Sequence, residues 1–305
     1  MRRLGDPYDI LVVGGGLAGL TAAHHAALRG LRVASLDEGG HMGGLVMNVS
    51  RIGGYPAANA VSGIDLAAAQ LEAILELGVE IVPDRATALA LDGGIVAVTT
   101  DSGVHKAKTV VLASGARLKS LGVPGEKALF GRGVSQCADC DAGFFVDQNV
   151  VVVGGGDAAL QEALHLSDYV NGITLVVRGD ALRAKQSYVA LAADNPNFEF
   201  RWSTEVSEIL GNDGVEGVRL TPAGGGDAQE LACSGVFVFI GLEPSVCALP
   251  DIIQRDAGGF IVTDANFQTS LPGIYAVGAV RAGYSGQLAS AVGEAAAAIA
   301  GIQTV

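Results

Sequence analysis

Two cysteines separated by two residues, Cys137-Ala138-Asp139-Cys140, are followed at once by an acid, Asp141. Thiols at this spacing can close a small disulfide ring, and the arrangement can bring the pKa of one of them into the physiological range. Asp141 stands where a carboxyl group can give a proton to a sulfur as it leaves, or take one as it attacks. On the motif alone two plainer uses stay open: buried small apolar residues, or half of a zinc site. Zinc would call for a second pair, or for histidines at matching spacing. The remaining cysteines, Cys233 and Cys247, stand far apart in apolar surroundings, and no pair among the five histidines has ligand spacing. No metal is therefore expected.

The second chemistry written in the chain is phosphate binding. An apolar run over 8–13 meets Gly14-Gly15-Gly16-Leu17-Ala18-Gly19 and then an alanine-rich helix over 20–28, which reads as strand, glycine turn and helix. In such a unit Gly14 permits the sharp turn, Gly16 lets a diphosphate approach the backbone, and Gly19 lets helix pack closely on strand. The phosphates then rest on the positive helix end, at Leu17 and Ala18. A second strand over 31–36 leads to Asp37 and Glu38. Asp37 follows Gly19 by 18 residues, where a carboxylate holds the hydroxyl pair of a ribose. An ordinary acid at a strand end is the plainer alternative. The glycine-dense loop 39–44, which includes His41 and Gly44, and the pair Gly53-Gly54 can bring backbone against a flat ring system. A strand over 109–113 ends in Ser114-Gly115-Ala116, which places its glycine near the same nucleotide.

The pattern then begins again, with a strand over 149–153, the turn Gly154-Gly155-Gly156-Asp157-Ala158-Ala159, a helix over 160–167 and a strand over 173–177. Alanine in the last place of this turn suits the phosphate-bearing nicotinamide dinucleotide. No acid follows its second strand. Arg178 and Arg183 stand there instead and can pair with a 2′-phosphate, although solvated surface arginines would look the same.

These residues must be carried by a regular frame. Helical spacing over 64–77 and short strands over 79–82, 87–91 and 95–100, the last two joined by Asp92-Gly93-Gly94, complete the first unit. Further strands are expected over 198–203, 205–210, 215–220, 236–240, 260–263 and 274–277, with a small-residue helix over 287–302 packed on most sides. Gly241-Leu242-Glu243-Pro244 reads as a return linker. The expected class is α/β, with two Rossmann-like, three-layer nucleotide-binding domains, the second inserted into the first.

At 305 residues, 50% hydrophobic and 17% charged, the chain can bury two cores. A formal net charge of −13, with no basic run, argues against nucleic acid and anionic membrane as partners. No apolar run reaches about 18 residues. Met1-Arg2-Arg3 leads to Gly5-Asp6-Pro7 and not to an apolar signal core, so a cytoplasmic protein is expected. Reducing conditions there favour a cycling disulfide over a lasting one.

With both glycine turns and the dithiol placed, the chain resembles the low-molecular-weight thioredoxin reductases over nearly its whole length. That family's flavin-binding GxGxxG, ATGA-like strand end, CATCDG-like redox motif and GGGDSALEEA-like second turn appear as Gly14 to Gly19, Ala113 to Ala116, Cys137 to Asp141 and Gly154 to Ala163. The resemblance implies an FAD-binding domain over 1–117 and 246–305, and an NAD(P)H-type domain over 118–245 that carries the redox disulfide. It implies that Cys140 faces the flavin, that Cys137 attacks the substrate disulfide and that Asp141 is the acid. The inserted domain would rotate so that the dithiol meets flavin and partner in turn. Thioredoxin or another protein disulfide would be the partner, and a homodimer the assembly.

Three departures from the family pattern stand out. The family's His-Arg-Arg with a further arginine reads Val177-Arg178-Gly179 with Arg183. The Gly-Asp pair that bonds the flavin's ribityl chain reads Gly278-Ala279, and the Arg-Gln after it reads Gly286-Gln287. Some relatives with altered nicotinamide sites draw electrons from ferredoxin or a second flavin, or pass them to oxygen as dithiol oxidases. The cofactors implied are thus FAD with NADPH, or FAD with a second FAD or with no nicotinamide.

Overall fold

All six residues of Tyr8–Val13 are buried, as a strand covered on both faces requires, and the rest of the first sheet is laid out around it. The computed structural model describes residues 6–39, 42–49, 52, 55, 61–246 and 249–303. His41, Gly53, Gly54 and Cys247 lie outside the described residues. The chain forms two compact units, Met1–Arg117 with Glu243–Val305, and Leu118–Leu242.

The first unit opens with β1 (Tyr8–Val13), α1 (Leu17–Leu28), β2 (Val33–Leu36), α2 (Gly63–Glu76) and β3 (Glu80–Val82). It continues with β4 (Ala86–Asp92), β5 (Ile95–Thr100) and β6 (Val104–Leu112). Strands β3, β2, β1 and β6 are parallel neighbours in that order. Val13 lies opposite both Leu36 and Leu112, so three strands end level and their following loops meet. The hairpin β4–β5 runs antiparallel along the first half of β6, and its turn residues Gly93 and Gly94 have φ of 56° and 83°. Positive φ at both positions suits the tight hairpin turn read from the sequence.

The chain leaves the first unit through β7 (Ala116–Leu118). The second unit holds α3 (Glu126–Leu129), β8 (Val134–Ser135), α4 (Ala138–Asp141), β9 (Asn149–Val153), α5 (Asp157–Leu166), β10 (Gly172–Val176), α6 (Gln186–Asp194) and β11 (Phe198–Arg201). After these come β12 (Thr204–Leu210), β13 (Gly217–Pro222), β14 (Gln229–Ala232) and β15 (Gly235–Val238). Its sheet is parallel in the order β11-β10-β9-β15-β8, with β12, β13 and β14 as an antiparallel layer. Alternation along β9 feeds two cores. Val150 and Val152 cluster with Ala159, Leu160 and Ala163 of α5 and with Ala138, Ala142 and Phe145, while Val151 and Val153 cluster with Val206, Val218 and Leu220. The cysteine-bearing segment therefore shares the α5 side of the sheet.

The return strand β16 (Leu242–Pro244) pairs with β7, and Arg117 Nε lies 2.5 Å from Glu243 Oε1. Then β17 (Ile274–Ala276) extends the sheet along the second half of β6, and α7 (Leu288–Gly301) packs on α1 through Ala291, Ala295, Ala298 and Ile299. In α7 only Ala289, Gly293, Ala297, Ala300 and the terminal Gly301 are exposed.

One expected strand is absent. Residues 260–263 form no strand, and Ile261 makes isolated bridges to Arg255 and Arg281. The reason is the turn just before it: the Asp256 carboxylate accepts from the N–H groups of Gly258 and Phe260, both at 2.9 Å, and takes the backbone away from a ladder. Helix α6 and strand β14 are additions to the sequence reading. The polar start Gln186-Ser187 and the mostly exposed residues of Gln229–Ala232 hide their periodicity.

Candidate functional site

The first glycine turn is built so that side chains cannot enter it. A Cβ on Gly19 would lie 1.9 Å from Gly14 O, and one on Gly14, whose φ is 110°, would lie 2.4 Å from Ala113 O. Gly16 is different: a Cβ there would meet nothing nearer than Gly43 O at 3.9 Å, so the backbone at the start of α1 faces open space. Gly16 caps α1 without a side-chain hydrogen bond, and the first turn, from Leu17 and Ala18 onward, contains no acid. Its unpaired N–H groups and positive end suit a diphosphate.

Around this turn the level strand ends form a cleft of about 650 Å³, lined by Gly14, Asp37, Glu38, Arg85, Ser114 and Ser245 among others. Asp37 Oδ2 accepts from Gly15 N at 2.7 Å and Oδ1 from Gly39 N at 3.1 Å, which fixes the carboxylate at the end of β2. Glu38 is exposed, 3.9 Å from Arg85 Nε. Ser114 Oγ donates to the Ser245 carbonyl, and Gly115 O, at a φ of 70° for its residue, accepts from Ser245 N. Gly44 lies against the turn, since a Cβ on it would come within 3.2 Å of Gly16 Cα.

From the far end of the chain, Gly278 (φ 71°) comes against the same helix start, where a Cβ would be 2.8 Å from that of Ala18. Its N–H donates to Glu294 Oε2 at 2.8 Å, and Glu294 is also paired with Arg281, both side chains being largely buried. Ala279 follows with no carboxylate to offer. Gln287 is the exposed residue before α7, and its carbonyl accepts from Tyr284 Oη. Sequence reasoning missed Glu294 as the anchor of this loop. An acid in an otherwise small, apolar helix was the available signal.

The second turn repeats the design in its own unit. A Cβ on Gly154 (φ 144°) would lie 2.3 Å from Phe239 O and 2.9 Å from Ala159 Cβ, whereas Gly156 has nothing within 4 Å. Asp157, in the first turn of α5, accepts from Lys185 N at 2.7 Å and pairs with Lys185 Nζ at 3.4 Å, and Ala158 is exposed beside it. The backbone N–H of Arg183 donates to Gly155 O at 2.7 Å, which ties that arginine to the turn. Arg178 is exposed and has Glu205 at 3.9 Å.

Cys137 and Cys140 form a disulfide with their Cα atoms 5.3 Å apart. Cys137 caps α4, its Sγ accepting from Cys140 N at 3.2 Å, and Ser135 Oγ accepts from Cys137 N at 3.0 Å. Cys140 is exposed, while Cys137 and Asp141 are half-buried. Helix α5 holds the segment between the sulfurs: Glu162 Oε2 accepts from Ala138 N at 2.8 Å, and His165 Nε2 lies 3.2 Å from Asp139 Oδ1. Burial pushes the Glu162 carboxyl above its usual range and the nearby Asp139 adds to this, against the lowering pull of the Ala138 N–H and of His165. Glu162, His165 and Asp139 were not singled out from the sequence, although an acid between two cysteines was visible there. Cys233 is buried and its thiol is pushed up to about 12, which keeps it protonated and unreactive. Among the described residues no group of three or more metal-ligating side chains occurs, and no helix is long and apolar enough to cross a membrane.

Two dinucleotide folds with a dithiol on the second define a class of flavin-linked disulfide oxidoreductases, and the comparisons agree. Residues 8–298 match the family model described as pyridine nucleotide-disulphide oxidoreductase. The thioredoxin reductase of Treponema pallidum is 37% identical over 292 residues, which are 95% of this chain and 94% of that protein. The crystal structure of Lactococcus lactis thioredoxin reductase superposes with a TM-score of 0.91 at 34% identity, covering 96% of this chain and 97% of that one. That of the T. acidophilum enzyme gives 0.88 at 31% identity, with coverage of 96% and 97%. The chain belongs to the pyridine nucleotide-disulphide oxidoreductase family and, within it, to the low-molecular-weight thioredoxin reductases.

Proposed function

We propose that this protein is an FAD-dependent disulfide oxidoreductase that passes two electrons through the Cys137/Cys140 couple to a protein disulfide of the thioredoxin kind, with NADPH as their source. The observation that carries this reading is the Cys137–Cys140 disulfide fixed on α5, the helix that begins at the second glycine turn. FAD, when bound, supplies exchange of an electron pair between a hydride donor and a dithiol.

This chain's residues would hold it as follows. The backbone at Gly14, Gly16 and Gly19 and the start of α1 receive the diphosphate, and Asp37 receives a ribose. Ala279 stands in sequence where the family offers a carboxylate. Loss of that one charge-assisted hydrogen bond weakens binding by about 1.5–3 kcal/mol, which a tightly held cofactor survives. At the second turn Gly154 and Gly156 open the backbone to a diphosphate, with Arg178 and Arg183 for a 2′-phosphate.

Reduction of the disulfide takes up two electrons and two protons. Cys137, as thiolate, then attacks the partner's disulfide to form a mixed disulfide and release one partner thiol. Cys140 attacks Cys137 Sγ, which re-forms the disulfide and releases the second partner thiol. Asp141 moves the proton at the sulfur. A reducing, cytoplasmic setting completes the reading, together with the homodimeric assembly that the family resemblance implies.

Anaerobic titration of the yellow protein with NADPH is the test. Bleaching of the flavin, followed by thioredoxin reduction that Cys137→Ser abolishes and Cys140→Ser converts into a trapped mixed disulfide, is the expected result. A flavin that NADPH leaves oxidised, while a chemical reductant restores thioredoxin reduction, points to a second reading in which ferredoxin or another flavin is the donor. The replacement of the family's second arginine by Gly179 and the pairing of Arg178 with Glu205 favour that alternative.

A further inference from the structure

Helix α4 is a single turn of four residues and cannot hold its own shape. Both residues between the cysteines are tied to α5, Ala138 through its backbone N–H to Glu162 and Asp139 through its carboxylate to His165. Glu162 and His165 are three apart and present one face of α5 to the turn. The two ties differ in kind: the first fixes backbone, and the second sets an imidazole against a carboxylate that lies between the two cysteines in sequence. Where the family motif quoted above has threonine, this chain has Asp139, a negative charge beside Cys140, and the imidazole of His165 lies 3.2 Å from it. The pair is partly shielded from solvent, with 34% of the His165 side chain and 22% of the Asp139 side chain exposed. Other titratable groups at this place are Asp141, directly after Cys140 in the same turn, Glu162 one turn earlier on α5, and Tyr169 just beyond it, whose ring lies 5.3 Å from that of His165.

We propose that Asp139 and His165 form a charge pair that sets the reactivity of the Cys137/Cys140 thiols, with Glu162 as the positioning residue that keeps the turn against α5. The proposal rests on the dithiol reading above, but it concerns the sulfurs alone and is tested without donor or partner. A thiolate gains from a nearby positive charge and loses from a negative one. Asp139 opposes the thiolate, and His165, when protonated, cancels that opposition.

The experiment is alkylation of the full chain with iodoacetamide after reduction and desalting without oxygen, at about pH 6. Rates for Cys137 and Cys140 are read by peptide mass spectrometry. Asp139→Asn is expected to raise the rate of the faster of these two cysteines roughly threefold, and His165→Gln to lower it roughly threefold. A unit charge on a neighbouring side chain moves a thiol pKa by about one unit, and the gain in thiolate is partly offset by its lower nucleophilicity. The double variant should return close to the parent. Glu162→Gln, which keeps an acceptor for the Ala138 N–H, should preserve both responses, and Glu162→Ala should flatten them.

Opposite signs for the first two variants support the charge pair, because a packing defect would move both the same way. Changes of one sign, or no change in either, overturn it, and equal behaviour of the two Glu162 variants overturns the positioning role. If the signs oppose while the couple fails to reduce thioredoxin, the functional reading fails and the charge pair stands.

Discussion

The carboxylate of Asp37 accepts the backbone N–H of Gly15 at 2.7 Å, so the acid that ends β2 and the glycine turn that ends β1 are one rigid piece. Asp37 thereby serves two ends: it holds the turn in shape, and it keeps free acceptor sites turned towards the cleft that it lines.

Asp37→Ala removes both, leaving the Gly15 N–H without its acceptor and the cleft without a ribose partner. Hydrogen bonds to a charged group are worth about 1.5–3 kcal/mol, so FAD should be held roughly ten- to a hundredfold more weakly. The flavin-to-protein absorbance ratio after gel filtration, and the dissociation constant from flavin fluorescence, measure this. Asp37→Asn keeps one acceptor oxygen and should lose less. Equal retention of flavin by the parent and Asp37→Ala would remove Asp37 from the site.

Gly16 and Gly19 separate binding from folding. Gly16→Ala adds a methyl group into open space and should leave the melting temperature within a few degrees of the parent; on the binding proposed above it should reduce flavin content, because the methyl group would obstruct the approach of the diphosphate. Gly19→Ala instead drives a Cβ to 1.9 Å from Gly14 O, a clash with backbone that no rotamer relieves. It should yield little folded protein, or a melting temperature lower by roughly ten degrees, on a cost of a few kcal/mol. Thermal melts of both proteins beside their absorbance spectra check the pair.

The contrast also shows what was legible before the fold was seen. The geometry at Gly14, Gly16, Gly19 and Asp37 was readable because a strand, a tight turn and a helix fix it locally, and the same holds for the second turn and for the pairing of Cys137 with Cys140. Contacts between distant segments were not readable. Nothing in the spacing of Gly278 shows that it meets Ala18, or that Glu294 receives its N–H, since those relations depend on β17 docking beside β6. The strand expected over 260–263 failed for a local reason, the Asp256 turn, which sequence alternation outweighed in the reading. Asp139 and His165 were hidden because one lies inside the motif and the other on a separate helix.

Glu294 carries an expectation of its own. It accepts from Gly278 N and pairs with Arg281 in a nearly buried setting, with the two side chains 10% and 17% exposed. Glu294→Ala would strand the Arg281 guanidinium, and breaking a buried pair in this way costs about 3–5 kcal/mol. A fall of that size in the unfolding free energy, read from urea denaturation, is expected, accompanied by loss of flavin as the Gly278 turn loosens. Arg281→Met combined with Glu294→Leu, which removes both charges, should recover much of the stability but not the anchored turn. A single variant as stable as the parent would show that the pair does not hold this loop.

Glu162 gives a pH dependence whose sign can be worked out. Its carboxyl is raised in the folded protein, chiefly by burial, above the unfolded value of about 4.3. Below that value both states are protonated, and the stabilising contribution of the neutral buried carboxyl is fully present. As pH rises the unfolded chain gives up the proton first, so this contribution declines until the folded-state pKa is passed and then levels off. Glu162→Gln cannot ionise and keeps an acceptor for the Ala138 N–H. Its melting temperature relative to the parent should therefore rise from about pH 4 towards neutrality and then reach a plateau. A difference that stays flat across that range, or falls, would mean that the carboxyl ionises in the fold at least as readily as in the unfolded chain, and that α5 holds the dithiol turn with a charged group.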